Sequence, residues 1–70
     1  DMKLSARNIL KGPVQAIEKG TVNSTVQIDV GGGNSVTAMI TNASVEDLQL
    51  EVGKDAYAVI KASEVIVGAD

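Results

Sequence analysis

Apolar and polar residues alternate along much of the chain, which predicts a fold built from β-strands. The clearest stretch runs from Thr21 to Val30, where a valine or isoleucine stands at nearly every second position and only Ser24 interrupts the apolar set. A period of two residues is that of a strand with one buried face. The stretch from Ser35 to Thr41 repeats the pattern after Gly31 to Asn34, a glycine-rich run that suits a hairpin loop.

The chain before this hairpin is also extended in character, from about Leu4 to Ile17, and predicts a long first strand. Gly12 and Pro13 stand near its middle. Because proline cannot donate to a ladder and a neighbouring glycine lets a strand curl, we expect a bend or bulge there, as in the first strand of a barrel.

The period changes after Thr41. Residues 44–47 fit the S-x-x-[DE] capping pattern, which predicts a short helix with Ser44 as its N-cap and an end near Leu48. Two more strands are predicted, from Ala56 to Lys61 and from Ser63 to Val67. Five strands with one short helix between the third and the fourth are the order of a small OB-type barrel, so the predicted fold class is all-β.

Length and composition add an expectation of self-association. A chain of 70 residues forms one domain and buries only about 60% of the surface that its unfolded form exposes. The usual supports for so small a core are disulfides, a structural metal or oligomerisation. Because the chain has no Cys and no His, we expect a homo-oligomer whose interfaces extend the core of each subunit.

Charge and residue types also exclude several classes of function. A net charge of −3 argues against nucleic-acid binding, which draws on Lys and Arg contacts to phosphates. Without His or Cys the common general bases and nucleophiles are missing, so we expect no enzyme, and no acidic loop has the spacing of a calcium site. No segment approaches the roughly 20 apolar residues of a membrane span, so a cytoplasmic location without a membrane partner is expected.

Two pairs of polar residues near the chain ends form a candidate anion site. Ser5 and Arg7 are two residues apart and share one face of a strand, as do Lys61 and Ser63. Arg7 and Lys61 could equally be solvated surface charges. However, each base has a serine at the same offset, and hydroxyls beside cations suit a small tetrahedral dianion. A fold that closes its first strand against its last would bring the two pairs together.

Thr41 and Ser44 supply further hydroxyls between these ends. Ser44 has two open roles, as the N-cap of the predicted helix or as a ligand of the anion, and both can hold together. The glycine run is a different case. It fails the phosphate-binding loop pattern, because no Lys-[Ser/Thr] pair follows and a strand comes next, so we interpret it as a hairpin turn.

Five short motifs carry a resemblance to a known family. They are Ser5-Ala6-Arg7-Asn8, Gly20-Thr21-Val22-Asn23, Ile40-Thr41 with Ser44, Leu48 and Leu50 with Gly53, and Ile60-Lys61-Ala62-Ser63. In this order and spacing they resemble a Mop domain, and the chain is similar to a molbindin over nearly every residue from 2 to 67. The resemblance implies a single Mop domain over residues 2–70.

The resemblance implies a cytoplasmic OB-type protein that binds molybdate or tungstate, with no cofactor, and assembles as a homohexamer, a trimer of dimers. The oxyanion sites would lie at subunit interfaces. Ser5 and Arg7 of one subunit would face a set of donors from its neighbour, namely Thr41, Ser44, Lys61, Ala62 through its backbone amide, and Ser63. A second kind of site near the threefold axis would involve Thr21, Val22 and Asn23.

The expected function is therefore intracellular storage and homeostasis of molybdate without chemistry, in a free-standing protein. An alternative is a structural oligomerisation or ligand-sensing module of a molybdate transporter ATPase or regulator. A third reading, an OB-type nucleic-acid binder, needs aromatic stacking platforms and a basic groove. One tyrosine and a net negative charge count against it.

Overall fold

The structure, a computed structural model, describes residues 5–70 and shows four strands, one short α-helix and one turn of 3₁₀-helix. The strands are β1 (Asn8–Lys19), β2 (Asn23–Gly31), β3 (Asn34–Thr41) and β4 (Asp55–Ile60); the α-helix is α1 (Asn42–Asp47), and the 3₁₀ turn is Ala62–Glu64. All neighbouring strands are antiparallel, in the order β3-β2-β1-β4. This confirms the all-β class. The predicted start of the first strand at Leu4 lies outside the described residues.

The long strand β1 belongs to two ladders and so curls the sheet. Its first half, from Asn8 to Pro13, pairs with β4, and its second half, from Val14 to Lys19, pairs with β2. The register of the second ladder shifts between Val14 and Ala16, which is a β-bulge. The bend predicted at Gly12 and Pro13 therefore takes the form of a change of partner after Pro13 and a bulge just beyond it.

A small aliphatic core lies inside the curled sheet. Its fully buried members are Val14, Val26, Ile28, Ala56 and Ala58, and six half-buried side chains pack against them. The alternation predicted for β2 is confirmed, because Ser24, Val26 and Ile28 are buried at every second position. The predicted hairpin is confirmed too, since Gly31 at the end of β2 and the two glycines that follow it all have positive φ angles.

The fifth predicted strand, from Ser63 to Val67, is wrong: the chain forms a 3₁₀ turn at residues 62–64 and no regular structure after it. Val65, Ile66 and Val67 are 47%, 95% and 87% exposed. A strand needs a neighbour with which to share its hydrogen bonds, and within its own chain this segment pairs with none of the described strands. The two sheet edges, β3 and β4, stay open.

The predicted start of the helix is also wrong, because its N-cap is Thr41 and not Ser44. Thr41 keeps the extended backbone of β3, with φ −70° and ψ 153°, and its side chain accepts from the Ser44 amide. Ser44 itself lies in the first turn of α1, so the hydroxyl that caps the helix comes from the last residue of the preceding strand. No helix formed by residues 5–70 is long and apolar enough to cross a membrane.

Candidate functional site

The beginning of β1 and the end of β4 meet at one end of the sheet and bring the two basic motifs together. Asn8 and Ile60 are register partners, and Asn8 Nδ2 donates to the Ile60 carbonyl at 3.2 Å. Five of the predicted anion donors lie close to this pair along the chain. We call them the cationic end: Ser5, Arg7, Lys61, Ala62 and Ser63. The strand that lies against β1 here is β4, not the predicted fifth strand.

The charges of the cationic end are available to a ligand. All five of its residues are exposed. Among residues 5–70 the ion pairs are Lys11 with Asp55 at 3.9 Å and Lys54 with Glu51 at 2.6 Å, and neither involves Arg7 or Lys61. Lys54 lowers the pKa of the Glu51 carboxyl, first by its hydrogen bond and then by its charge. That pair lies in the loop before β4, away from the cationic end.

Thr41 and Ser44, the hydroxyl pair, form a small hydrogen-bonded unit where β3 passes into α1. Thr41 Oγ1 accepts from the Ser44 amide at 3.0 Å and is hydrogen-bonded to Ser44 Oγ at 2.8 Å. The bond between the two hydroxyls uses one of their two protons, so the pair keeps one proton that it can donate outwards. The hydroxyl pair can therefore donate directly to an anion without losing the bond between its members.

Within one chain the hydroxyl pair and the cationic end lie at opposite ends of β1. Thr41 is the register partner of Asn23, beside the point where Ser24 pairs with Lys19 at the end of β1. The cationic end flanks Asn8 at the start of the same 12-residue strand. No hydrogen bond among residues 5–70 joins the two groups. A single chain thus presents two separate sets of donors.

The residues predicted for a second site lie next to the hydroxyl pair. Thr21, Val22 and Asn23 are exposed and form a turn that is closed by the Gly20 amide donating to the Asn23 carbonyl at 2.8 Å. The Asn42 amide, directly after Thr41, donates to the Val22 carbonyl at 2.8 Å. The two predicted sites are therefore connected through the start of α1.

The sequence did not predict a role for Asn42, whose side chain makes two of the hydrogen bonds in this region. Its side chain donates to the Gly20 carbonyl at 3.0 Å and accepts from Ser24 Oγ at 2.5 Å. The sequence did carry one signal of this network. Ser24 interrupts the apolar alternation of β2, and a hydroxyl on a buried face needs a partner. No pattern in the sequence around Asn42 identifies it as the partner of Ser24.

Comparison with known proteins gives consistent matches over the whole chain. A family model described as the TOBE domain matches residues 4–67. A probable molybdenum-pterin-binding protein of Haemophilus influenzae (strain ATCC 51907 / DSM 11121 / KW20 / Rd) is 56% identical over 69 residues, which are 99% of this chain and all of that protein.

Solved structures match equally well. The cytoplasmic molybdate-binding protein ModG, in a form with molybdate bound, has a TM-score of 0.94 and 49% identity, covering 99% of this chain and 49% of the ModG chain. A molybdate-binding protein from Sporomusa ovata has a TM-score of 0.89 and 41% identity, covering 97% of this chain and 100% of that one. The fold thus occurs both as a whole chain and as half of a longer one.

Proposed function

Because the chain belongs to the TOBE domain family, with molybdenum-pterin-binding and molybdate-binding proteins among its relatives, we propose that it binds molybdate at subunit interfaces. It would hold the oxyanion in store in the cytoplasm, without catalytic turnover. One observation carries the proposal: the two sets of oxyanion donors lie at opposite ends of β1. One chain offers two half-sites, and a neighbouring copy would complete each of them.

The donors suit a dianion that has no proton to offer at neutral pH. Arg7 and Lys61 supply charge-assisted hydrogen bonds, and the hydroxyl pair Thr41 and Ser44 keeps one proton that it can donate. The 3₁₀ turn uses the amides of Glu64 and Val65, which donate to the carbonyls of Lys61 and Ala62, so the Ala62 amide is not consumed by the turn. Tungstate has the same charge and shape as molybdate and would bind in the same way. Sulfate is smaller, and a cage built for the larger anion would leave some of its hydrogen bonds too long.

Self-association is the second part of the proposal, and the exposed tail supports it. Residues 65–67 are apolar and pair with none of the described strands of their own chain, while the edges β3 and β4 are open. An extended segment can add a strand to the open edge of another sheet. We propose that the tail of one copy pairs with an edge of another, within a homohexamer arranged as a trimer of dimers.

A groove between β4 and the segment after α1 gives such an assembly more apolar surface to cover. It has a volume of about 290 Å³, and its lining includes Leu48, Leu50, Tyr57 and Val59. Three of these side chains are among the exposed large apolar residues of the chain. Covering them would extend the small core of each subunit.

Molybdate is expected to stabilise the fold and the assembly together, because its donors come from two chains. At a free concentration of 100 times Kd, one saturated site adds about 2.7 kcal/mol of stability. Thermal unfolding should show a higher midpoint with molybdate than with the same concentration of sulfate. Native mass spectrometry should show bound oxyanions on a six-subunit species. An assembly that carries no anion at saturating molybdate would contradict the proposed function.

A substitution in the tail, residues 65–67, tests the proposed assembly separately from molybdate binding. Ile66→Asp puts a charge on the most exposed apolar side chain of the segment, which is 95% exposed in one chain and would be buried in the proposed assembly. Burial of an unpaired charge is strongly unfavourable, so sedimentation should show a shift to smaller species. Ala69→Asp adds the same charge two residues beyond the segment and is the control. Equal assembly of both variants would argue against a buried tail.

The alternative function is an oligomerisation or ligand-sensing module within a larger transporter ATPase or regulator. The observation that favours it is that the fold makes up about half of the ModG chain, so it is compatible with a longer protein. Finding this sequence within a longer reading frame that also encodes an ATPase or DNA-binding domain would decide for the module.

A further inference from the structure

We propose that Asn42 and Ser24 are positioning residues of the oxyanion site. Neither side chain belongs to the two sets of donors, yet together they fix the hydroxyl pair to the loop Gly20–Asn23. The inference rests on the proposed function, because it assigns roles to residues that would support the molybdate donors Thr41 and Ser44.

Three hydrogen bonds meet at Asn42. The Asn42 amide donates to the Val22 carbonyl, its Nδ2 donates to the Gly20 carbonyl, and its Oδ1 accepts from Ser24 Oγ. Three contacts at 2.8, 3.0 and 2.5 Å therefore hold the first residue of α1 against the loop Gly20–Asn23 and the start of β2. No other side chain among residues 5–70 makes hydrogen bonds to both.

Ser24 is buried, so its hydroxyl depends on a partner within the protein. It is 2% exposed and is the only buried polar residue among residues 5–70. A buried hydroxyl without a partner is costly, whereas a paired one is not. Its Asn42 partner is satisfied in turn by the Gly20 carbonyl. The network is closed, so removing one member leaves another unpaired and displaces the chain around it.

The hydrogen-bond network of Asn42 is connected to the hydroxyl pair through the backbone. Asn42 follows Thr41 directly and lies two residues before Ser44, in the turn whose geometry sets the Thr41–Ser44 hydrogen bond. A displacement of Asn42 therefore moves the hydroxyl pair. Hydrogen bonds weaken steeply when their length or angle departs from the optimum. In metal sites, residues that orient the ligating side chains typically change affinity about 10–100-fold, and we expect an effect of the same order here.

Molybdate titration by calorimetry tests the roles of the two residues on the full chain. Asn42→Ala and Ser24→Ala should each weaken binding by about tenfold or more, with the number of anions per subunit unchanged. Ile28→Val is the control, since it trims the same buried core without touching the network and should lower the thermal midpoint but leave the affinity within about twofold of the wild type. Circular dichroism shows which variants are folded, and Ser24→Ala carries the test if Asn42→Ala is not.

A double-mutant cycle distinguishes a specific connection between Asn42 and the loop Gly20–Asn23 from a general loss of rigidity. Gly20→Ala would place a Cβ 2.8 Å from the Asn23 carbonyl oxygen and so shift the loop. It should weaken molybdate binding about fivefold alone but less than about twofold in the Asn42→Ala background, because the connection is already broken. Independent effects of the two substitutions, or wild-type affinity in both Asn42→Ala and Ser24→Ala, would overturn this inference alone. Absence of binding by the unsubstituted chain would overturn the proposed function and this inference with it.

Discussion

Replacement of Arg7 by Ala is expected to abolish molybdate binding at the main class of sites, and replacement of Lys61 by Ala is expected to do the same. Both residues flank the Asn8–Ile60 pair and supply the positive charges of the cationic end. Charge-assisted hydrogen bonds are worth about 1.5–3 kcal/mol each, and a guanidinium can make two of them to one oxyanion. The affinity should therefore fall by at least about 100-fold for Arg7→Ala and by at least about tenfold for Lys61→Ala.

The matched control is Lys54→Ala, which removes the same charge from a lysine that is paired with Glu51. It should leave the affinity within about twofold, because exposed charges beyond a Debye length are largely screened. Calorimetry at fixed ionic strength gives affinity and stoichiometry for all three variants. If Arg7→Ala and Lys61→Ala both kept the wild-type stoichiometry and affinity, the assignment of the cationic end would be wrong.

The parts of the fold that the sequence predicts well are those in which a residue's environment is set by its neighbours along the chain. In β2 the alternation alone identifies Val26 and Ile28 as buried, and both are. The glycine run likewise predicts its own turn, because positive φ angles are a local property of residues 31–33.

Two predictions failed where the outcome depends on more distant parts of the molecule. The tail has the composition of a strand, but a strand also needs a partner, and residues 65–67 have none among the described strands of their own chain. The pattern from Ser44 to Asp47 fits a capping box, yet Thr41 is already in place with the extended backbone that an N-cap needs. The end of β3 therefore decides where α1 begins.

In the candidate site, too, some features could be predicted from the sequence and others could not. The sequence predicted that the segment with Lys61 and Ser63 reaches the same end of the sheet as Arg7, and the register pair Asn8–Ile60 does bring it there. The pairing strand is β4, however, and not the predicted fifth strand. Asn42 could not be anticipated, because its side-chain partners Gly20 and Ser24 are 22 and 18 residues away along the chain. Only the folded sheet brings them within hydrogen-bonding distance.

Replacement of Gly12 by Ala is expected to prevent folding of the chain. Gly12 is buried in β1 just before the strand exchanges β4 for β2 as its partner. A Cβ at this position would overlap the Asp29 carbonyl oxygen of β2. Because the overlapping atoms of Asp29 are backbone atoms, no side-chain movement can remove the clash. The two strands would have to separate at the point where the sheet curls. Such a change exceeds the 4–5 kcal/mol that marks exceptional substitutions, and a core of this size supplies only about 3–5 kcal/mol in total.

Gly68→Ala is the matched control, because a Cβ there meets nothing within 4 Å and should change stability by less than about 0.5 kcal/mol. Urea unfolding followed by circular dichroism compares the two substitutions, with and without saturating molybdate. Since ligand binding stabilises only a folded state, molybdate should raise the midpoint of Gly68→Ala and leave Gly12→Ala unfolded. A folded Gly12→Ala chain with a wild-type midpoint would mean that β1 and β2 do not approach each other as closely at Gly12 and Asp29 as the curled sheet requires.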